Sequence, residues 1–187
     1  FGSIANNRIP ITVAGVTTTY DLDTRTYFIG SAGEEKPSYM YKYWTNSSNG
    51  RVAKETTVYE YDPTGGQMTK STVYRGDAIL SASANVPTLI AQPVKKSETF
   101  YYGVEGSERA DYMTTWKGTT FANNTIGSTS FYFYGASQMR ASNTLLADTD
   151  AMDQSVAIKG NLVAVQADVV FGSIANNRIP ITVAGVT

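Results

Sequence analysis

Apolar and polar residues alternate at period two along most of this chain, a pattern that predicts half-buried strands. Residues 9–14 (IPITVA) put Ile9, Ile11 and Val13 on one side. Residues 18–29 set Tyr20, Leu22 and Thr24 against Thr19, Asp21 and Asp23, and the stretch 30–37 closes that strand with turn chemistry. In residues 39–44 the tyrosines Tyr39, Tyr41 and Tyr43 share one side, with Met40 and Trp44 on the other. Residues 56–61 and 68–74 flank Asp62-Pro63-Thr64-Gly65-Gly66, a proline and double-glycine punctuation that predicts a β-hairpin.

The second half reads the same way. Residues 78–94 carry Pro87 and Pro93, which exclude a regular helix and leave a short strand with loops. Residues 99–104 and 112–117 are further strands, separated by a charged loop holding Glu105, Glu108, Arg109 and Asp111. Residues 130–135 (SFYFYG) form the most aromatic strand, whereas 137–150 has weak helical character from Met139, Leu145 and Leu146 and reads equally as a crossover loop. Residues 155–170 supply Val156 and Ile158, a break at Gly160, and then Val163, Val165, Ala167 and Val169 in alternation. About nine or ten strands without βαβ alternation predict an all-β fold, a jelly-roll or Ig-like antiparallel β-sandwich.

One stretch changes this picture. Residues 1–17, FGSIANNRIPITVAGVT, return unchanged as residues 171–187. A natural duplication drifts, so an unaltered second copy implies either an appended strand or one period of a repeating array followed by the start of the next. The 170 residues ahead of the second copy suit one domain with a sizeable core. The expected organisation is an N-terminal strand segment 1–17, a β-sandwich domain 18–170 and a duplicated strand 171–187.

Composition narrows the function. Charged residues make up 17% of the chain and the formal net charge is −1, so no basic field recruits nucleic acid or an anionic membrane. No run of about 18 apolar residues occurs, and no basic-then-apolar leader precedes Phe1, which predicts neither a membrane-inserted protein nor an uncleaved precursor. The abundance of Thr, Ser, Asn and Gly, with 13 Tyr, resembles exposed surface proteins and predicts an extracellular or cell-surface location. Two sequons, at Asn46 and Asn123, would then be usable. With 0 His and 0 Cys, imidazole-dependent triads, disulfides and thiolate metal sites cannot be assembled. Glu105 with Glu108, or Glu60 with Asp62, is the sort of pair a glycosidase uses, yet at this spacing such pairs read as solvated surface, and no enzyme is expected.

Three further features carry candidate chemistry. Asp148, Asp150 and Asp153 place oxygen ligands at a spacing that lets a loop wrap calcium, although Asp153 stands where an EF-hand needs glycine and Lys159 where it needs a bidentate Glu. Asp21 and Asp23 make a second oxygen-rich pair, and for both groups a solvated acidic turn is an equal alternative. Arg75-Gly76-Asp77 spells an adhesion tripeptide, but a β-turn explains it as well. The tyrosine-rich faces suit sugar rings, while packing accounts for them more simply.

The repeated strand has a mechanical reading. A sandwich lacking one strand exposes unpaired backbone groups above a hydrophobic groove, and a strand lent by a neighbour heals it. Ile9, Ile11 and Val13 would fill the groove, each stabilising the joint by about 1.5–3 kcal/mol if fully buried. Donor and acceptor are different patches, so copies add head to tail without closing. In the second copy Ile179, Ile181 and Val183 would occupy the molecule's own groove and hold it as a monomer. The chain thus resembles donor-strand-complemented filament subunits: chaperone-usher pilins, archaeal thread and bundling-pilus subunits, and most of all archaeal cannula subunits. The resemblance rests on the strand 9–14, its copy 179–184 and the Thr/Tyr-rich, cysteine-free character between them. It implies a structural subunit of an extracellular filament, pilus or tubule, with calcium as a ligand for Asp148, Asp150, Asp153, Asp21 and Asp23. A tandem-repeat surface adhesin and a calcium-dependent carbohydrate-binding module are the alternatives.

Overall fold

The computed structural model of the chain describes residues 7–46, 50–160, 169–171 and 181–183. Its elements in order are β1 (Arg8–Val13), β2 (Val16–Asp21), β3 (Thr24–Ile29), β4 (Lys36–Thr45), β5 (Arg51–Tyr61), β6 (Met68–Arg75), β7 (Ile79–Ser83), β8 (Val86–Leu89), β9 (Lys95–Tyr102), β10 (Arg109–Lys117), a 3-10 turn (Phe121–Asn123), β11 (Thr125–Tyr134), β12 (Met139–Arg140), β13 (Met152–Lys159), β14 (Val169–Phe171) and β15 (Ile181–Val183). The architecture is all-β and antiparallel, consistent with a β-sandwich. Nine strands make one large sheet, in which β3, β4, β5, β6, β9, β10 and β11 lie side by side in that order and β13 flanks β11. β12 pairs only with Phe133 and Tyr134, past Phe131 where β10 stops pairing with β11. The other six strands form three ribbons, β1 with β2, β7 with β8 and β14 with β15.

The 51–75 hairpin forms where the turn chemistry places it. Asp62 Oδ1 accepts the amides of Thr64 at 2.8 Å and Gly65 at 2.6 Å, an Asx turn that fixes the reversal and holds the Asp62 carboxyl below the usual carboxylate range. Gly66 completes it at φ +73°. Cross-strand rows then run through the sheet: Tyr27 faces Tyr39, Tyr39 faces Val58, and Val58 faces Thr72. Tyr27 and Tyr39 stack with centroids 4.4 Å apart, and Tyr41 meets both edge-on. Over this face the β7–β8 ribbon lays Ile79 and Leu89, so that Tyr39, Val58, Tyr74 and Ala78 form the apolar core. Residues 78–94 thus hold a hairpin rather than a single short strand, with Pro87 in β8 and Pro93 in the passage to β9. Thr56, fully buried, ties the crossing together by donating to the Gly76 carbonyl at 2.7 Å and accepting from the Ala78 amide at 3.1 Å.

Toward β11 the same face carries buried charge. Glu98 accepts from Lys95 at 2.8 Å and from Thr72 at 3.3 Å, with Lys70 at 3.8 Å. Asp111 is 2% exposed and holds Arg140 of β12 through a bidentate pair, Nε to Oδ1 at 2.8 Å. The Arg140 guanidinium lies 4.9 Å from the centre of the fully buried Phe131 ring and 5.9 Å from that of Tyr112.

Two local expectations are corrected and one open alternative is decided. The run 18–29 is two strands, because Leu22 donates its amide to the Asn7 carbonyl and Tyr43 donates to that of Asp23, bending the chain between them. Residues 137–150 take the loop alternative, with turns and the short β12, whose Arg140 is held by Asp111. Arg109 and Asp111 sit in β10 rather than in the loop before it.

Candidate functional site

The strand segment that the sequence singles out lies in the β1–β2 ribbon. Ala14 and Gly15 connect the two strands at φ +50° and +80°, the left-handed pair of a two-residue hairpin turn whose twist suits a right-twisted ribbon. Pairing runs without interruption from Val13↔Val16 to Arg8↔Asp21. Because side chains alternate, one face carries Ile9, Ile11 and Val13 beside Tyr20, Thr18 and Val16, and the other carries Arg8, Pro10 and Thr12 beside Asp21, Thr19 and Thr17. The polar face is tied by Arg8 Nε to Asp21 Oδ1 at 2.7 Å and by a 2.7 Å hydroxyl contact between Thr12 and Thr17. The apolar face is open: Val13 is 70% exposed, Val16 68% and Tyr20 54%. The ribbon is tied at its base, where Asn7 Nδ2 donates to the Arg51 carbonyl and Arg51 Nη2 donates to that of Leu22.

Ile9, Ile11 and Val13 are therefore brought together on one face, opposite β2. In the second copy, Ile181 pairs with Phe171 and Val183 with Val169, so the Ile-Thr-Val sequence that pairs with β2 at one end of the chain pairs with β14 at the other, in a two-stranded sheet separate from the large one. Ile179 lies outside the described residues. In the large sheet β3 pairs with β4 alone and β13 with β11 alone among the described residues, and these are its two edges.

The five aspartates do not converge. Asp21 is the partner of Arg8, and Asp23 contributes its carbonyl to Tyr43. Asp150 Oδ2 accepts the Ala147 amide at 2.9 Å, Asp153 Oδ2 accepts from Gln138 at 3.3 Å, and the carbonyl of Asp148 receives Arg109. No group of three acidic or other ligating side chains capable of holding a metal occurs among the described residues. Asp77 of the adhesion tripeptide accepts the Ile79 amide at 3.0 Å, and Arg75 Nη2 donates to the Trp116 carbonyl at 3.2 Å, so the tripeptide is tied into the passage from β6 to β7. Of the two sequons, Asn123 Oδ1 caps the 3-10 turn by accepting from Thr119 and Thr120, while Ser47 and Ser48 beside Asn46 lie outside the described residues.

The tyrosines are packing residues with displaced acidity. Burial, then Asp77 and after it Tyr39 and Tyr27, pushes Tyr41 well up. Burial, reinforced by Tyr59 and Glu108, pushes Tyr61 up to about 12. Tyr112 rises to about 12 through burial and then through Tyr102 and Asp111. A cleft of about 720 Å³ opens beside Tyr61, between residues 29–36 and the turns at Asp62 and Glu105. Lys36 occupies it, paired with Glu105 and donating to the Gly66 carbonyl at 2.8 Å, so its charge is already answered within the chain. Asp111, the most deeply buried carboxylate, escapes sequence reasoning because its partner Arg140 stands 29 residues away, whereas Glu98 has Lys95 three residues before it at 2.8 Å. No described helix is long and apolar enough to cross a membrane. No family model, curated protein or solved structure matches the chain.

Proposed function

We propose that this chain is a non-enzymatic structural subunit of an extracellular filament, pilus or tubule, whose copies join head to tail by lending β structure to one another. The observation that carries this reading is the unchanged return of residues 1–17 as 171–187. A strand of that sequence accepts two unrelated antiparallel partners, β2 in one place and β14 in the other. Such tolerance is what main-chain pairing supplies, because the ladder reads backbone and not side-chain identity. The two edge strands of the large sheet give a neighbour's strand somewhere to add. The second copy acts as an internal substitute that keeps the molecule monomeric.

Removing residues 171–187 is therefore expected to release polymerisation, visible as filaments by electron microscopy and as rising light scattering. A chain of residues 1–170 that stays a stable monomer at high concentration would overturn the reading. Calcium would assist through the 148–153 loop. Chelation is then expected to lower the assembly rate, and identical assembly with and without a chelator removes calcium from the scheme. The same identity of residues 1–17 and 171–187 also favours one unit of a tandem-repeat surface adhesin. The gene separates the two, since an adhesin encodes several near-identical copies in series.

A further inference from the structure

We propose that the element lent to a second copy of this chain is the whole β1–β2 ribbon, moving as a closed arm whose pairing side is the outer edge of β2. This rests on the filament reading above and replaces its single strand by a preformed hairpin.

The argument begins with which backbone groups are left over. A two-residue turn closes on a hydrogen-bonded pair, here Val13↔Val16, and pair types alternate from there. Ile11↔Thr18 and Ile9↔Tyr20 are then hydrogen-bonded pairs, while Thr12↔Thr17, Pro10↔Thr19 and Arg8↔Asp21 direct their N–H and C=O groups outward. On the β1 side the middle position of that outward row is Pro10, which has no N–H. A strand arriving there meets a gap in the ladder. On the β2 side the outward row is Thr17, Thr19 and Asp21, every one of them with both groups intact and every residue of β2 exposed. The ribbon thus has one blunted edge and one open edge, the arrangement by which sheets confine pairing to a chosen side.

The ribbon's faces point the same way. An isolated two-stranded hairpin is marginal in water, and this one turns Val13, Val16 and Tyr20 to solvent on a single face. Breaking it to release β1 alone would sacrifice the full register and the Arg8–Asp21 and Thr12–Thr17 ties. Lending it whole sacrifices none of these. The occupant's counterpart lies on the same kind of chain. β13 is an eight-residue edge strand whose Val156 and Ile158 are half-buried on one face, so β2 laid alongside it continues an apolar row. The other edge is less open, because the Phe28 carbonyl of β3 already receives Asn85 Nδ2 at 2.8 Å.

The Thr12 and Thr17 hydroxyls touch at 2.7 Å and the chain has 0 Cys, so Thr12→Cys with Thr17→Cys locks β1 to β2 by one disulfide without competing thiols. The experiment uses the full-length chain carrying Ile181→Lys and Val183→Lys, which disable the second copy. Assembly is followed by sedimentation and light scattering in oxidised and reduced forms. The ribbon arm predicts equal assembly in both. Adding Thr19→Pro to the locked form removes an outward N–H while the disulfide keeps the ribbon closed, and is expected to raise the concentration needed for assembly roughly tenfold or more. Assembly in the reduced form only would show that β1 leaves β2, overturning the arm and leaving the filament reading intact. Full assembly despite Thr19→Pro would overturn the pairing edge. No assembly in the disabled background, with or without the cysteines, would overturn both.

Discussion

The large sheet and the β1–β2 ribbon are built from the same residue types, Thr, Tyr, Val and Ile in alternation, and behave as opposites. In the sheet each alternate side chain meets something: Tyr39 meets Tyr27 and Val58, Thr72 meets Glu98, and Phe131 meets Arg140. In the ribbon the same alternation produces a face on which Ile9 and Ile11 are half-buried while Val13, Val16 and Tyr20 stand in solvent. The difference teaches that alternation specifies a strand but not its second layer. What covers a face is decided by where the rest of the chain is sent, and here the β7–β8 ribbon and Arg140 are sent to the sheet.

The largest effects should come from uncovering the sheet. Asp111→Ala leaves the Arg140 guanidinium buried without its anion, and is expected to cost about 3–5 kcal/mol by urea unfolding. Phe131→Ala removes the ring under that guanidinium and falls in the same range, about 3–5 kcal/mol. A loss below about 1 kcal/mol for both would mean that the Arg140 contact does not hold the β11 end together.

These residues also show where sequence reading stops. The 51–75 hairpin was legible because Asp62 to Gly66 contain the turn's own chemistry within five positions. The shared side of Tyr39, Tyr41 and Tyr43 was legible because a strand's period is local, and the rings do pack together. The break at residues 22–23 was not, since Tyr20, Leu22 and Thr24 keep their alternation straight across it. It is made by backbone bonds from Leu22 to the Asn7 carbonyl and from Tyr43 to the Asp23 carbonyl, and backbone groups carry no residue signature. Asp111 likewise read as loop charge because nothing near it in sequence foretells Arg140. For the candidate site, the strand and its apolar side were legible, whereas its pairing with β2 was hidden by reading residues 18–29 as one strand.

Alkaline pH should separate the two regions next. Tyr61 and Tyr112 titrate near 12 in the folded chain, and Tyr39, Tyr41, Tyr43 and Tyr74 are raised as well, all chiefly by burial. A raised folded pKa means that between the ordinary tyrosine value, about 10, and the folded value the unfolded chain holds fewer protons. Stability from these groups is therefore complete below about pH 10 and falls as pH rises through about 12. Urea unfolding at pH 8 and pH 11, with tyrosinate absorbance as the second probe, should show a marked drop. Equal stability at both would mean that these hydroxyls are solvated.

Polar replacement on that face should barely register in the same assay. Val13→Ser and Val16→Ser remove side chains that are already mostly in water, so each is expected to change global stability by no more than about 0.5 kcal/mol. Under the proposed assembly, in which a neighbour takes up the ribbon, assembly should respond where stability does not. A loss of more than about 1 kcal/mol would instead make the ribbon part of the folded core.

The smallest change bears on the ribbon's own turn. Ala14 is held at φ +50° beside Gly15 at +80°, and a residue with a Cβ loses about 1–2 kcal/mol there unless, like asparagine, it can bond locally. Ala14→Asn gives the Asn-Gly pair that this turn type favours, and is expected to stabilise the ribbon by about 1 kcal/mol, roughly a fivefold slowing of amide exchange at Ile11 and Val13. Their amides report the β1–β2 ladder because they lie in its hydrogen-bonded pairs. If a neighbour takes β1 alone, this added stability must be overcome before the strand can leave, and assembly of the chain with its second copy disabled should weaken about as much as exchange slows. If the ribbon travels closed, the tighter turn keeps it in the form that docks, and assembly should hold or strengthen. Slower exchange with weaker assembly would therefore count against the arm, even though the substituted residue touches nothing outside its own turn.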